Sequence, residues 1–271
     1  MPQPTRDDLT DAVIRLGLQL DGDPFRSRSS LVCLVTNEGR PAFLKVTNQP
    51  EELVGVRALE QWGGNGAVRV LARDGNAILL ERAGQTLHSL VTDDASATQV
   101  LCDAAHRLHT NSPTDLDDFP TLQTWFSSLF GDTTPRFDQV RVIAGRLLEH
   151  TTPPVLLHGD LHHENVLNGG DRGWLAIDPK GIRGAREFDF CNIFTNWTPQ
   201  EAIGHFDARL DLVARVASID RTDLLRWIAS WSALSGIWHL EDGDEASAAF
   251  PHSITELALE RLRAHDVSRS H

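Results

Sequence analysis

The chain has 271 residues, and its 38 Asp and Glu outnumber 25 Lys and Arg to leave a formal charge of -13. That balance argues against a general nucleic-acid binder and is compatible with a small cationic partner. Eleven Phe and seven Trp provide apolar volume for one large domain or two modest ones. Cys33, Cys102 and Cys191 form no CxxC pair, which suits a reducing cytoplasm, and neither an export signal nor a membrane-spanning apolar run is legible.

In chain order, residues 7–16 predict a helix, with Leu9, Val13 and Leu16 at helical spacing and Gly17 as its stop. After the turn Asp21-Gly22-Asp23-Pro24, the runs LVCLV and PAFLKV flank Asn37-Glu38-Gly39-Arg40. This is hairpin grammar, and it puts Lys45 on the second strand. EELVGVRALEQW follows as a helix that opens on Glu51 and Glu52 and groups Leu53, Val56 and Leu59 on one face. Residues 66–71 and 76–81 around Arg73-Asp74-Gly75 predict a second hairpin. Glu81-Arg82-Ala83-Gly84 then reads as a linker or a strand-to-helix turn.

Residues 95–109 predict a helix, in which His106 and His109 sit among apolar neighbours and read as core or helix-end histidines. A polar loop over 111–120, the segment TLQTWFSSLF and a helix over 137–150 come next, and Thr151-Thr152-Pro153-Pro154 closes that helix. The chemistry is concentrated just beyond. The apolar run 155–157 delivers His158, Gly159 and Asp160, and Asn165 follows five residues after Asp160. A second apolar run, 174–177, delivers Asp178, and Asn168-Gly169-Gly170-Asp171 reads as a turn between antiparallel strands. Phosphoryl transfer needs a carboxylate at the attacking hydroxyl, with an oxygen ligand and a second carboxylate to hold Mg2+. Asp160, Asn165 and Asp178 are such a set, and an Asn coordinates through its carbonyl oxygen without adding charge beside ATP. A transition-metal reading of His158, His162, His163 and Glu164 is weaker, because no cysteine is near and adjacent histidines point apart.

With HGDLHHENVL and IDPKG in this order, the chain resembles the aminoglycoside phosphotransferases, and most of all their streptomycin 6-kinase and hydroxyurea-resistance branch. The resemblance implies an α+β, protein-kinase-like two-lobed fold. Residues 1–83 would form a small antiparallel-sheet lobe that binds nucleotide, and residues 84–271 a mostly helical lobe that carries catalysis and the acceptor. It implies ATP and Mg2+ as cofactors, Asp160 as base, and Asn165 and Asp178 as metal ligands. Lys45 would meet the ATP phosphates with Glu52 as its partner, Glu51 being the alternative. The phosphate loop lacks the usual glycines, and Ser27, Ser29 and Ser30 could offer N–H groups and hydroxyls instead. Glu81 and Ala83 fall where the family meets the adenine edge. His158 and Asp189 would brace the catalytic loop.

Residues 207–217 and 223–238 predict further helices, with Trp227 and Trp231 as core bulk rather than a ligand cage. The acids after Trp238, above all Glu241 and Asp242, could recognise the guanidinium groups of a streptomycin-like acceptor, or could be solvated surface. A last helix is expected over 254–264, before a frayed tail. The expected function is ATP-dependent O-phosphorylation of a small, cationic acceptor. The alternatives are a kinase for an amino sugar or other metabolite, and an inactive kinase-like binding module. Retention of Lys45, Asp160, Asn165 and Asp178 speaks against the last. No nucleic-acid or membrane partner is expected, and the sequence leaves monomer and homodimer equally open.

Overall fold

The computed structural model describes residues 2–27, 29–149, 153–196 and 198–269, with side chains through residue 265. Helix α1 (Arg6–Arg15) opens on a reciprocal capping box between Thr5 and Asp8. The short strands β1 (Gln19–Leu20) and β2 (Phe25–Arg26) lean on β3 (Ser30–Asn37), which pairs antiparallel along its whole length with β4 (Arg40–Thr47). Helix α2 (Pro50–Trp62) intervenes before β5 (Val70–Asp74) and β6 (Ala77–Glu81), and the sheet runs β1-β3-β4-β6-β5, with β2 beside β3. Strand alternation explains its two faces. Leu31, Cys33, Val35, Ala42, Leu44 and Val46 point to one side, where Leu9, Ala12 and Val13 of α1 cover them. Lys45, between Leu44 and Val46, therefore points the other way, toward α2.

The second lobe is mostly helical. It contains α3 (Leu87–Leu90), α4 (Asp94–Thr110), α5 (Leu122–Trp125), α6 (Ser127–Gly131) and α7 (Asp138–Glu149), followed by four three-residue strands. These are β7 (Val155–Leu157), β8 (Val166–Asn168), β9 (Trp174–Ala176) and β10 (Ile182–Gly184). A 3-10 segment (Arg186–Thr195) leads into α8 (Pro199–Gly204), α9 (Phe206–Val216), α10 (Arg221–Glu241) and α11 (Glu245–Arg269). The large core of this lobe extends into α2, taking in Ala58, Leu59 and Trp62, so α2 belongs by packing to both halves of the molecule.

Four expectations are corrected. The 155–157 strand does not pair with the run that delivers Asp178: β7 pairs with β10, while the Asn168–Gly173 connection joins β8 to β9. Strand β5 starts at Val70 and not at residue 66, because the preceding stretch pairs elsewhere: the Ala176 N–H donates to Gly66 O at 2.8 Å and the Val68 N–H to Ala176 O at 3.0 Å. The last helix starts at Glu245 and carries Pro251 in its interior, and it runs on through Arg269 where a frayed tail was expected. Finally, Trp231 is not core bulk alone, since it lines a cavity described below. The expected end of the 137–150 helix at His150, and Thr151-Thr152 of its stop, lie outside the described residues.

Candidate active site

Strand β7 delivers His158, Gly159 and Asp160 into the cleft, and the 3-10 segment fixes that delivery. Both oxygens of the buried Asp189 carboxylate accept backbone N–H bonds, from His158 at 2.9 Å and Gly159 at 2.7 Å. Gly159 sits at φ +78°, and a Cβ there would come within 2.6 Å of Ile182, so the turn excludes a side chain. His158 is fully buried. Its Nδ1 accepts the Asp160 N–H at 3.2 Å, which leaves Nε2–H to donate to Ile177 O at 2.8 Å. Burial outweighs the nearby carboxylates Asp189 and Asp160 and pushes His158 below the ordinary histidine pKa, so it is a neutral hydrogen-bonding strut.

Asp160 points away from these supports. Its Oδ1 accepts from the Asn192 side-chain amide at 2.9 Å, its Oδ2 lies 3.4 Å from Lys180 Nζ, and His162 Nε2 stands 3.9 Å from Oδ1. The Asn165 side-chain amide donates to Asp160 O at 2.9 Å, and the backbone Asn165 O accepts the Ile177 N–H at 2.9 Å. The bond to Ile177 sets Asn165 next to the strand end that carries Asp178.

Asp178 follows β9 in the left-handed region at φ +53°, an uncommon conformation that Asp tolerates better than bulkier residues. Its Oδ1 is 2.7 Å from Lys45 Nζ, and the same ammonium is 3.0 Å from Glu52 Oε2. Burial alone would lower the Lys45 pKa, but Asp178 and Glu52 outweigh it and hold Lys45 above its ordinary value. The converse holds at Asp178, deep in the cleft yet with 52% of its side-chain surface open: burial raises its pKa, and Lys45 together with Lys180 more than reverses the effect. Glu52 and not Glu51 is the partner of Lys45. Pro50 at the start of α2 sets the register, and Gly55 lets the helix approach the segment after Asp178, since a Cβ at Gly55 would stand 1.9 Å from Pro179 O.

The remaining expected residues scatter more widely. The hydroxyls of Ser29 and Ser30 both donate to the Glu52 carboxylate, and Ser27 closes a tight turn on Ser30, its N–H donating to Ser30 O at 3.0 Å. The Glu81 carboxylate accepts the Arg69 N–H at 2.7 Å and the Arg172 guanidinium, while Ala83 packs partly buried against the large core. Glu241 turns to Ser128, whose hydroxyl donates to it at 3.2 Å. Asp242 instead lines a cavity of about 600 Å3 that begins at Asp160 and Lys180. Trp125, Trp231 and Trp238 form an aromatic wall of that cavity, with edge-to-face ring centroids 5.4 and 5.5 Å apart.

Sequence reasoning missed Asn192 and the partner of Asp189. Asn192 lies three residues after Asp189, and in a 3-10 helix such a pair shares one face, so both reach the catalytic loop. His109 Nε2 lies 2.8 Å from Asp189 Oδ2, where the core or helix-end reading of that histidine gave it no polar partner. No sequence spacing links His109 to residue 189.

Asp160 at the end of β7, Asn165 and Asp178 about β8 and β9, and the Lys45–Glu52 pair, set between a sheet lobe and a helical lobe, form the arrangement of a kinase-like phosphotransferase. A family profile described as aminoglycoside/hydroxyurea antibiotic resistance kinase matches residues 15–243, and the chain belongs to that family. It is similar to a streptomycin 3''-kinase of Klebsiella pneumoniae, with 40% identity over 84% of this chain and 91% of that protein. A hydroxyurea phosphotransferase of Kitasatospora aureofaciens is 32% identical over 91% of this chain and 76% of its own length. Among solved structures, a macrolide 2'-phosphotransferase from Brachybacterium faecium shares the fold at TM-score 0.61 and 16% identity, covering 90% of this chain and 96% of that one. The protein is accordingly an ATP-dependent small-molecule kinase. Among the described residues, no helix is long and apolar enough to cross a membrane.

Proposed function

We propose that this kinase transfers the γ-phosphoryl group of ATP to a hydroxyl of a cationic small acceptor, with streptomycin the leading candidate. The observation that carries this reading is the position of Asp160. It stands where the Lys45–Glu52–Asp178 cluster meets a cavity that bears Asp242 and an aromatic wall. The names of the curated relatives, which include streptomycin 3''- and 6-kinases, point the same way.

In this reading Asp160 accepts the proton of the acceptor hydroxyl as its oxygen bonds to the γ-phosphorus, and the bond from that phosphorus to the β–γ bridging oxygen breaks to release ADP. Asn192 holds the Asp160 carboxylate toward the cavity. The oxygens of Asn165 and Asp178 suit a hard divalent cation, so these two would hold Mg2+, which when bound neutralises charge on the phosphate oxygens. Lys45, oriented by Glu52, meets the phosphates from the sheet side. Backbone groups of Ser27, Ser29 and Ser30 cover them, with the Ser29 and Ser30 hydroxyls tied to Glu52. Backbone groups from Glu81 to Ala83 face the adenine edge. Asp242 supplies the counter-charge for an acceptor guanidinium, whereas Glu241, engaged with Ser128, plays a smaller part.

A panel of streptomycin, other aminoglycosides, glucosamine-like sugars and hydroxyurea, scored for phosphorylated product, tests the substrate class. Streptomycin should be preferred, and Asp242→Asn should raise its KM about 10-fold or more with little change in that for ATP. Preference for a neutral sugar, or an unaltered KM in Asp242→Asn, would remove streptomycin and leave the kinase assignment standing.

A further inference from the structure

Of the 25 Lys and Arg side chains in this sequence only two, Lys45 and Lys180, are lysines. The fold brings both to one place. Lys45 reaches Asp178, and Lys180, two residues further along, reaches Asp160. Everywhere else the chain uses arginine, whose planar fork suits fixed carboxylates and carbonyls. A lysine offers a compact charge with three rotatable donors, the better match for a group whose geometry changes during a reaction.

We propose that Lys180 is a further catalytic residue, its ammonium bonding to the phosphoryl group in transfer; this rests on the phosphotransferase reading above. Three observations carry it. First, the backbone of Lys180 is fixed relative to the base, since its N–H donates to His158 O at 2.7 Å and the adjoining Pro179 O lies against Gly55 of α2. Second, its side chain is 45% exposed, lines the acceptor cavity with Asp160, and has Asp160 at 3.4 Å as its one ion-pair partner among the described residues. Lys45 is already shared between two carboxylates, so Lys180 is the lysine with capacity for a new anion. Third, Lys45 and any Mg2+ held by Asp178 place positive charge on the Asp178 side of the cleft, whereas beside Asp160 the basic side chains within 4 Å, among the described residues, are Lys180 at 3.4 Å and His162 at 3.9 Å.

During transfer the γ-phosphorus exchanges its bond to the bridging oxygen for one to the acceptor oxygen, and negative charge spreads over its three outer oxygens. An ammonium beside Asp160 stabilises that charge from the acceptor side, opposite Lys45, and offsets repulsion between the base and the phosphate. The proton in transit goes to Asp160, and Lys180 contributes only its charge and hydrogen bonds.

Calorimetric titration of the full-length protein in Mg2+ with ADP, and separately with a non-hydrolysable β,γ-imido analogue of ATP, provides the decisive comparison. Lys180→Met should keep ADP affinity within about 2-fold and weaken the analogue about 10-fold, with single-turnover transfer to streptomycin slowed about 10²-fold. Lys180→Arg should recover part of both. Lys180→Gln serves the same purpose if the methionine variant does not fold. Equal weakening of ADP and analogue would mark Lys180 as structural, and an unchanged preference for the analogue would also overturn the proposal. Absence of nucleotide binding by the wild type would instead bring down the phosphotransferase reading. Failure of streptomycin alone would show as no transfer by the wild type, with the nucleotide comparison still decisive.

Discussion

Asp160 and Asp178 are both carboxylates at the mouths of short strands, yet their neighbours differ, and so should the effects of removing them. Asp160 is held by Asn192 on the acceptor side, whereas Asp178 is bound to Lys45 on the sheet side. Asp160→Asn should therefore leave Mg-ATP affinity near normal and cut turnover by about 10²-fold or more. Asp178→Ala should chiefly weaken Mg2+-dependent ATP binding, with Asn165→Ala a milder form of that defect. Nucleotide titrations with and without Mg2+, beside single-turnover rates, separate the two, and matching defects would refute the division of labour. These residues were legible in the sequence because one contiguous stretch carries them with fixed spacing. Strand grammar placed Lys45 on its strand, and the family resemblance gave it its role. Glu52 was expected as its partner with Glu51 as the alternative, and the structure pairs Lys45 with Glu52; the sequence alone left that helix register open. Asn192 and His109 depend on contacts that only the folded chain makes.

At the scale of elements, α2 is the piece on which the site's register depends, since it carries Glu52 on one turn and Gly55 on the next. With only 1.9 Å between a hypothetical Cβ at Gly55 and Pro179 O, Gly55→Ala must shift the helix or the segment after Asp178. We expect about 1–3 kcal/mol of destabilisation from the overpacking, together with a raised KM for ATP as Lys45 and Glu52 lose register. Gly145→Ala in α7 is the control: open space surrounds that position, and the substitution should be neutral or slightly stabilising. Denaturation midpoints and ATP kinetics for both variants check this, and a Gly55→Ala protein as stable and active as the wild type would contradict it. Most elements were readable from periodicity. The pairing of β7 with β10 was not, because both are three-residue strands with no turn between them to declare a partner. The start of α11 was hidden by Pro251, which reads as a helix boundary although the helix accommodates it and leaves Ser247 O without its usual i+4 donor.

For the molecule as a whole, the two-lobed plan followed from a strand-rich first third and a helical remainder, and from the resemblance carried by the catalytic stretch. The tie between the two cores through α2 has no such signal, because an amphipathic face does not reveal which neighbour covers it. Acid stability offers a global test. Burial raises the Asp189 pKa, but His109 and the backbone N–H groups of His158 and Gly159 outweigh it and hold the carboxyl below its ordinary 3.8. Below that value protons bind the unfolded chain first, so this stabilisation is complete above about pH 3.8 and is lost as pH falls through the lower folded value. Asp189→Asn should be less stable by about 3–5 kcal/mol at neutral pH and should show a shallower loss below pH 4, read from urea midpoints between pH 7 and 3. The β8–β9 hairpin, finally, is bonded on both edges to chain that runs between the lobes: Ala176 to Gly66 and Val68, and Asn168 to Gly84 and Gln85. If the lobes move, it would serve as the pin of a door. Asn165 and Asp178 adjoin the pin and would barely travel when the sheet swings, whereas β3 lies two strand spacings beyond β6, about 10 Å further along the lever arm. Closure over a nucleotide would then sweep Ser29 and Ser30 through the widest arc, carry Lys45 through a shorter one, and leave the Asn165 and Asp178 side chains almost still.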